Sequence, residues 1–129
     1  MAKAVVAIVN YQGKILLGKK KSDSKKSLAG KWHIPGEGIE DGESDESALI
    51  RCLDEEAKLK IKVNKFIASG ITPTGKTSNW YECFSDTDNT VPGSDLEAIK
   101  WIPKNEVIDE IYEGACRLWP QKVLDYFSK

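Results

Sequence analysis

Residues 35–59 read PGEGIEDGESDESALIRCLDEEAKL, a turn-rich stretch running straight into a helical one. Pro35-Gly36-Glu37-Gly38 and Asp41-Gly42 are turn formers, so they bracket a compact loop that closes at Glu43. Ser44 is suited to cap a helix, Asp45 and Glu46 occupy the first turn where the macrodipole favours anions, and neither Gly nor Pro interrupts through Leu59. At roughly 100° per residue, Cys52, Glu55 and Glu56 share one narrow sector, Leu49, Leu53 and Ala57 form an apolar stripe beside it, and Arg51 points away from the carboxylates. Two adjacent acids bordering a buried face repel each other and lose solvation, a cost that a bound hard cation, Mg²⁺ or Mn²⁺, offsets. A Glu-Glu pair on a helix is ordinarily a solvated surface feature. The loop in front of this one makes it a candidate site.

Outward from that segment, strands lie on both sides. Ala4 to Val9 and Lys14 to Leu17 are rich in branched apolar residues and flank Asn10-Tyr11-Gln12-Gly13, which predicts a β-hairpin. A basic loop follows, with Lys19, Lys20, Lys21, Lys25 and Lys26 among Ser and Asp up to Gly30, and Trp32 to Ile34 offers a short strand. Beyond the helix, 60–68, 78–84 and 96–102 alternate as strands do, 103–111 reads as a short helix opened by Pro, and 116–127 as a final amphipathic helix. This order implies a mixed sheet covered by helices, an α/β domain.

At 129 residues and 40% hydrophobic content, one core and a single domain over 1–129 are expected. The 19 basic and 20 acidic side chains nearly cancel, so no bulk field draws the chain to nucleic acid or to an anionic membrane. Recognition of a charged ligand must be local. Cys52, Cys83 and Cys116 are odd in number and widely spaced, which fits reduced thiols in the cytoplasm, and the apolar N-terminal run is too short for a membrane span.

Residues 37–59 resemble the Nudix box, G-x5-E-x7-R-E-U-x-E-E-x-G-U with U a bulky apolar residue, matching six of nine fixed positions: Glu43, Arg51, Leu53, Glu55, Glu56 and Leu59. The preceding Trp-His-Ile-Pro-Gly and the strand order are also similar to this family, so the resemblance spans essentially the whole chain and implies an α/β/α sandwich on a mixed sheet. Three positions depart from the pattern. Glu37 stands for the opening Gly, with Gly36 and Gly38 keeping the loop flexible. Lys58 stands for the Gly near the helix end, so the helix is expected to finish without a left-handed cap. Cys52 stands for a Glu that in the family helps to hold metal or position water.

The resemblance implies metal-dependent hydrolysis of a diphosphate linkage in a small nucleotide, with no membrane partner; a homodimer is compatible with the sequence. Glu55 and Glu56, with the Gly36 carbonyl, form the expected metal platform for Mg²⁺ or Mn²⁺, and Glu40 is an expected water-orienting acid. A further carboxylate from beyond the box is sought at Asp95 or Glu97, with Glu97 taken as the metal ligand. Lys19 and Lys20 are suited to contact phosphate, and Arg51 with Glu43 to pin the loop to the helix. Cys52 reads as a small buried residue and His33 as a packed or surface imidazole. The alternative function is a nucleotide-binding or protein-interaction module on the same fold, catalytically weak or inactive because Cys52 supplies no carboxylate.

Overall fold

The computed structural model describes residues 3–22, 29–72, 75–93, 95–111 and 116–128; Lys25 and Lys26 of the basic loop lie outside them. Strands β1 (Lys3–Tyr11) and β2 (Lys14–Lys20) form the expected hairpin. Its turn is Gln12-Gly13, both at positive φ (47° and 80°), the geometry that matches the twist of paired strands. After β3 (Trp32–His33) and β4 (Gly36–Gly38) comes helix α1 (Asp45–Ala57), followed by β5 (Lys62–Ile71), β6 (Thr77–Phe84) and β7 (Leu96–Pro103). A 3-10 turn at Lys104–Glu106 leads into the short α2 (Val107–Glu110), and α3 (Gln121–Ser128) closes the chain. The sheet runs β3-β2-β1-β6-β5, with β7 on β2 and β4 on β1; β1 and β6 are parallel and the other pairs antiparallel.

The apolar run in β1 reflects cover on both faces. Val5, Ala7 and Val9 pack with Leu49, Cys52 and Leu53 of α1, whereas Ile8 joins Ile15, Leu17, Trp80, Val107, Val123 and Phe127 on the opposite side. Helices therefore cover both faces of a mixed sheet, as expected from the α/β/α resemblance. Trp80 and Trp119 belong to the second core, their rings 5.2 Å apart and edge-on.

Two departures from expectation have identifiable physical causes. Residues 36–38 form a strand rather than a turn, because β1 pairs with β2 only at its far end and leaves backbone groups near Ala4 to Val6 for β4 to pair. Gly36 permits the approach: a Cβ there would stand 2.7 Å from the Val5 carbonyl oxygen. The last helix begins at Gln121 rather than at residue 116, since Pro120 supplies no N–H to a helix arriving from before it and instead opens a new one.

Helix α1 is capped at its start by Ser44, whose hydroxyl accepts from the Ser47 N–H at 3.1 Å. Its end corrects the expectation for Lys58. This residue itself adopts the left-handed conformation (φ 53°, ψ 40°), with its N–H on the Asp54 carbonyl at 3.1 Å and that of Leu59 on Leu53 at 3.2 Å. Those bonds and the burial of Leu59 outweigh the Cβ penalty. Lys58→Gly should therefore stabilise the protein by about 0.5–1 kcal/mol, because the exposed side chain contributes no packing to offset its strain. Urea unfolding measures this, and an unchanged or lower midpoint would count against strain at the cap.

His33 is buried, with Nδ1 3.0 Å from the Ile34 carbonyl and no partner at Nε2. Burial first, then the charge of Lys20, lowers its pKa to about 4, against the opposing pull of Ile34 and Asp95. The unfolded chain binds this proton near the ordinary value of 6.5 and the folded one only near 4, so stability is fully present above that window and falls as pH drops through it. The loss should reach about 2 kcal/mol by pH 5. As His33 is the only histidine, comparing wild type with His33→Phe isolates its part, and identical pH slopes in denaturant unfolding would disprove it.

Candidate metal and active site

Strand β4 and helix α1 meet at Arg51. Its Nε and Nη2 donate to Glu43 Oε2 and Oε1 at 2.8 and 3.0 Å, a two-pronged pair linking the loop to the helix. Nη2 also donates to the Gly38 carbonyl at 2.9 Å, and Nη1 to Glu37 Oε1 at 3.3 Å and Glu55 Oε1 at 3.1 Å. The expected partnership with Glu43 is present, but the guanidinium does not point away from the acids: one turn along the helix it reaches Glu55. Hydrogen bonding from Arg51, and then from the Glu40 N–H, holds Glu43 down to about 2, so this carboxylate stays ionised and fixed.

On the inner side of the helix, Glu56 is buried and its Oε2 accepts from the Cys52 thiol at 3.1 Å. Burial, and then the charge of Glu56, pushes the Cys52 thiol well up, keeping it protonated and a donor. Glu37 comes in from β4, where it pairs with Val5, and ligand atoms of Glu37, Cys52 and Glu56 all lie within 4.8 Å of one another. Glu37 Oε2 is sealed from solvent and meets no donor among the described residues. Burial and then the charge of Glu55 raise its pKa, while Arg51 pulls it down. Glu55 itself is more open, its side chain 45% exposed.

The backbone around these acids is held tightly. Ala7 N–H to Pro35 O and Ile39 N–H to Lys3 O, both 2.9 Å, set the alternation of the β1–β4 ladder, which turns the Gly36 and Gly38 carbonyls away from β1. A carbonyl so turned is available to a ligand, as Gly38 shows with Arg51. At the helix start, Asp45 Oδ2 accepts from Tyr81 at 2.6 Å and Asn79 at 3.0 Å, tying α1 to β6. At its end the Gly93 N–H binds the Glu56 carbonyl at 2.9 Å, and a Cβ on Gly93 would stand 2.5 Å from the Glu55 carbonyl oxygen.

The other residues singled out in the sequence lie at varied distances from this cluster. The stretch beyond the box does meet the helix, but through backbone at Val91 and Gly93 rather than through an acid. Glu97 accepts from the Ser22 N–H at 3.0 Å and pairs with Lys19 at 3.5 Å, and Asp95 receives the Lys21 N–H at its carbonyl; neither belongs to the Glu37, Cys52 and Glu56 group. Lys19 and Lys20 are strand residues at the end of β2 rather than loop residues, because β7 pairs along that whole strand. Glu40 is 71% exposed at its side chain and 3.6 Å from Arg51. Glu37 is the member that the pattern of the box does not reveal, although one signal was present: an acid gained at 37 where an acid is lost at 52.

Comparison with known proteins agrees with this architecture. Residues 1–121 match the NUDIX domain. A CTP pyrophosphohydrolase of Escherichia coli (strain K12) is 38% identical over 69 residues, 54% of this chain and 50% of that protein, so the match spans about half the length of the curated relative. A NUDIX hydrolase from Nitrosomonas europaea superposes with a TM-score of 0.81 at 20% identity, covering 98% of this chain and 69% of that one. The NUDIX domain of Shewanella oneidensis NrtR, complexed with ADP ribose, does so at 0.69 and 19% identity, covering 96% and 87%. With a family match along nearly its entire length and the Glu43–Arg51 clasp standing where the box requires it, the chain belongs to the Nudix hydrolase family.

Proposed function

We propose that the protein hydrolyses a diphosphate linkage in a small nucleotide with the help of Mg²⁺ or Mn²⁺. The observation that carries this reading is the packing of Glu56, Glu37 and Glu55 around one corner of the fold, beside the Arg51 guanidinium and with one buried carboxylate oxygen, Glu37 Oε2, that meets no donor among the described residues. Such a donor set, all oxygen apart from one protonated thiol, fits a hard divalent ion. Glu55, Glu56 and the Gly36 carbonyl would hold it, and bound there it supplies positive charge to phosphate oxygens and acidity to water. Water adds to one phosphorus, the bridging P–O bond breaks, and two phosphate-terminated products leave. Glu40, exposed beside the clasp, is the proposed acid for orienting that water, and Lys19 and Lys20 for contacting phosphate, Lys19 exchanging Glu97 for the ligand. Glu97 could then turn to the metal as a further ligand.

Substrate identity is approached through the relatives. The CTP pyrophosphohydrolase makes nucleoside triphosphates the first class to try, and the ADP-ribose complex of NrtR adds nucleoside diphosphates linked to a sugar. The proposed setting is the cytoplasm. A second reading, binding without turnover, draws on Cys52, which contributes no carboxylate. Release of phosphate-terminated products, separated from substrate by anion-exchange chromatography, from CTP, other triphosphates, ADP-ribose and dinucleoside polyphosphates, with Mg²⁺ and with chelator, decides between them. Metal-dependent release from any of these supports the enzyme. Saturable binding without release from any of them supports the second reading.

A further inference from the structure

We propose that Glu37 provides the carboxylate that α1 lacks at position 52, so that the metal site is assembled from Glu37, Glu55 and Glu56, one acid having moved from the helix to the neighbouring strand. The inference rests on the metal-dependent reading above and specifies its ligand set.

Two of the three departures from the box pattern, Glu37 for Gly and Cys52 for Glu, are distant in sequence and adjoining in space, both within reach of Glu56. Cys52 cannot act as the missing acceptor, because its proton is directed at Glu56 Oε2. Cys52 is shorter than Glu, and a Glu37 carboxylate oxygen lies within 4.8 Å of both Cys52 Sγ and a Glu56 oxygen. Glu37 is held on a paired strand, its backbone registered against Val5, so its position is not that of a wandering loop acid. One oxygen, Oε1, meets Arg51; the other, Oε2, is buried and meets no donor among the described residues. A buried carboxylate oxygen without a partner is costly, and a cation shared with Glu56 would satisfy it.

The same geometry sets the effect of restoring the family residue. A Glu at position 52 would compete with Glu37 for the space beside Glu56, so Cys52→Glu alone should destabilise the protein, whereas Cys52→Glu with Glu37→Gly should be tolerated.

Mn²⁺ affinity, read from free Mn²⁺ by electron paramagnetic resonance, and thermal melting with and without Mn²⁺ test the proposal on the full chain. Glu37→Gln should lower Mn²⁺ affinity about tenfold to a hundredfold, the scale of losing a group from a metal's surroundings. It should also melt, without metal, at or above the wild-type temperature. Affinity within about threefold of wild type, or a metal-free melting temperature clearly below it, would overturn the relocation. Should Glu37→Gln not fold, Glu37→Gly with and without Cys52→Glu decides: the added acid should recover at least about tenfold in affinity, and equal affinities would refute the proposal. Glu55→Gln with Glu56→Gln separates the two levels. If that protein binds Mn²⁺ like the wild type, the metal reading itself fails; if it loses Mn²⁺ while Glu37→Gln does not, only the role of Glu37 does.

Discussion

Replacing Glu55 and Glu56 together by glutamine is expected to reduce Mn²⁺ affinity by about a hundredfold or more, since even a group that merely supports a metal ligand is worth about tenfold to a hundredfold. Turnover should fall by at least as much, because charge on the phosphate oxygens would no longer be neutralised. Glutamine preserves shape, and its carbonyl can still accept from the Cys52 thiol. What it removes is charge, and at Glu56 that charge is buried in a side of the helix that also receives Glu37. The metal-free protein should remain folded, with unchanged circular dichroism. A folded double variant that binds Mn²⁺ as tightly as the wild type would remove the metal from this site.

The parts of the fold that were legible in the sequence are those whose causes are local. Ser44 caps because a hydroxyl precedes an uninterrupted helix, and the β1–β2 hairpin forms because two apolar runs flank a turn ending in Gly13. The Glu43–Arg51 pair was also legible, but only through the box spacing. Elements decided at a distance were not. Strand β4 exists because β1 leaves backbone groups unpaired, a fact invisible in Pro35-Gly36-Glu37-Gly38, whose local chemistry spells a turn. Projection around the helix axis places the Cα of Arg51 correctly off the acidic sector, yet a long side chain carries the guanidinium back to Glu55 and across to Glu37. Lys58 takes the left-handed cap that its chemistry disfavours because the carbonyls of Leu53 and Asp54 and the burial of Leu59 require it. Within the candidate site, pattern matching weighs each position separately. It therefore registers a lost Gly at 37 and a lost Glu at 52, whereas the structure brings the new acid against the position that lost one.

Arg51→Ala is expected to destabilise the protein by about 2 kcal/mol, the scale of losing charge-assisted hydrogen bonds from a partly exposed network. The guanidinium is only 22% exposed, and its removal leaves Glu43, Glu37 and Glu55 facing one another and the Gly38 carbonyl without its donor. For a chain of this size such a loss lowers the melting temperature by roughly 7 °C. Two further variants and conditions distinguish this role from direct chemistry. Arg51→Lys restores charge but not the two-pronged geometry on Glu43, so it should recover only part of the stability. Mn²⁺ should recover part of it as well, because a cation among these carboxylates replaces some of the lost positive charge. The melting-temperature gain on adding Mn²⁺ should thus be larger for Arg51→Ala than for wild type. Arg51→Ala protein that melts like the wild type but no longer turns over substrate would instead put the guanidinium on the substrate, and the clasp would cease to be its main function.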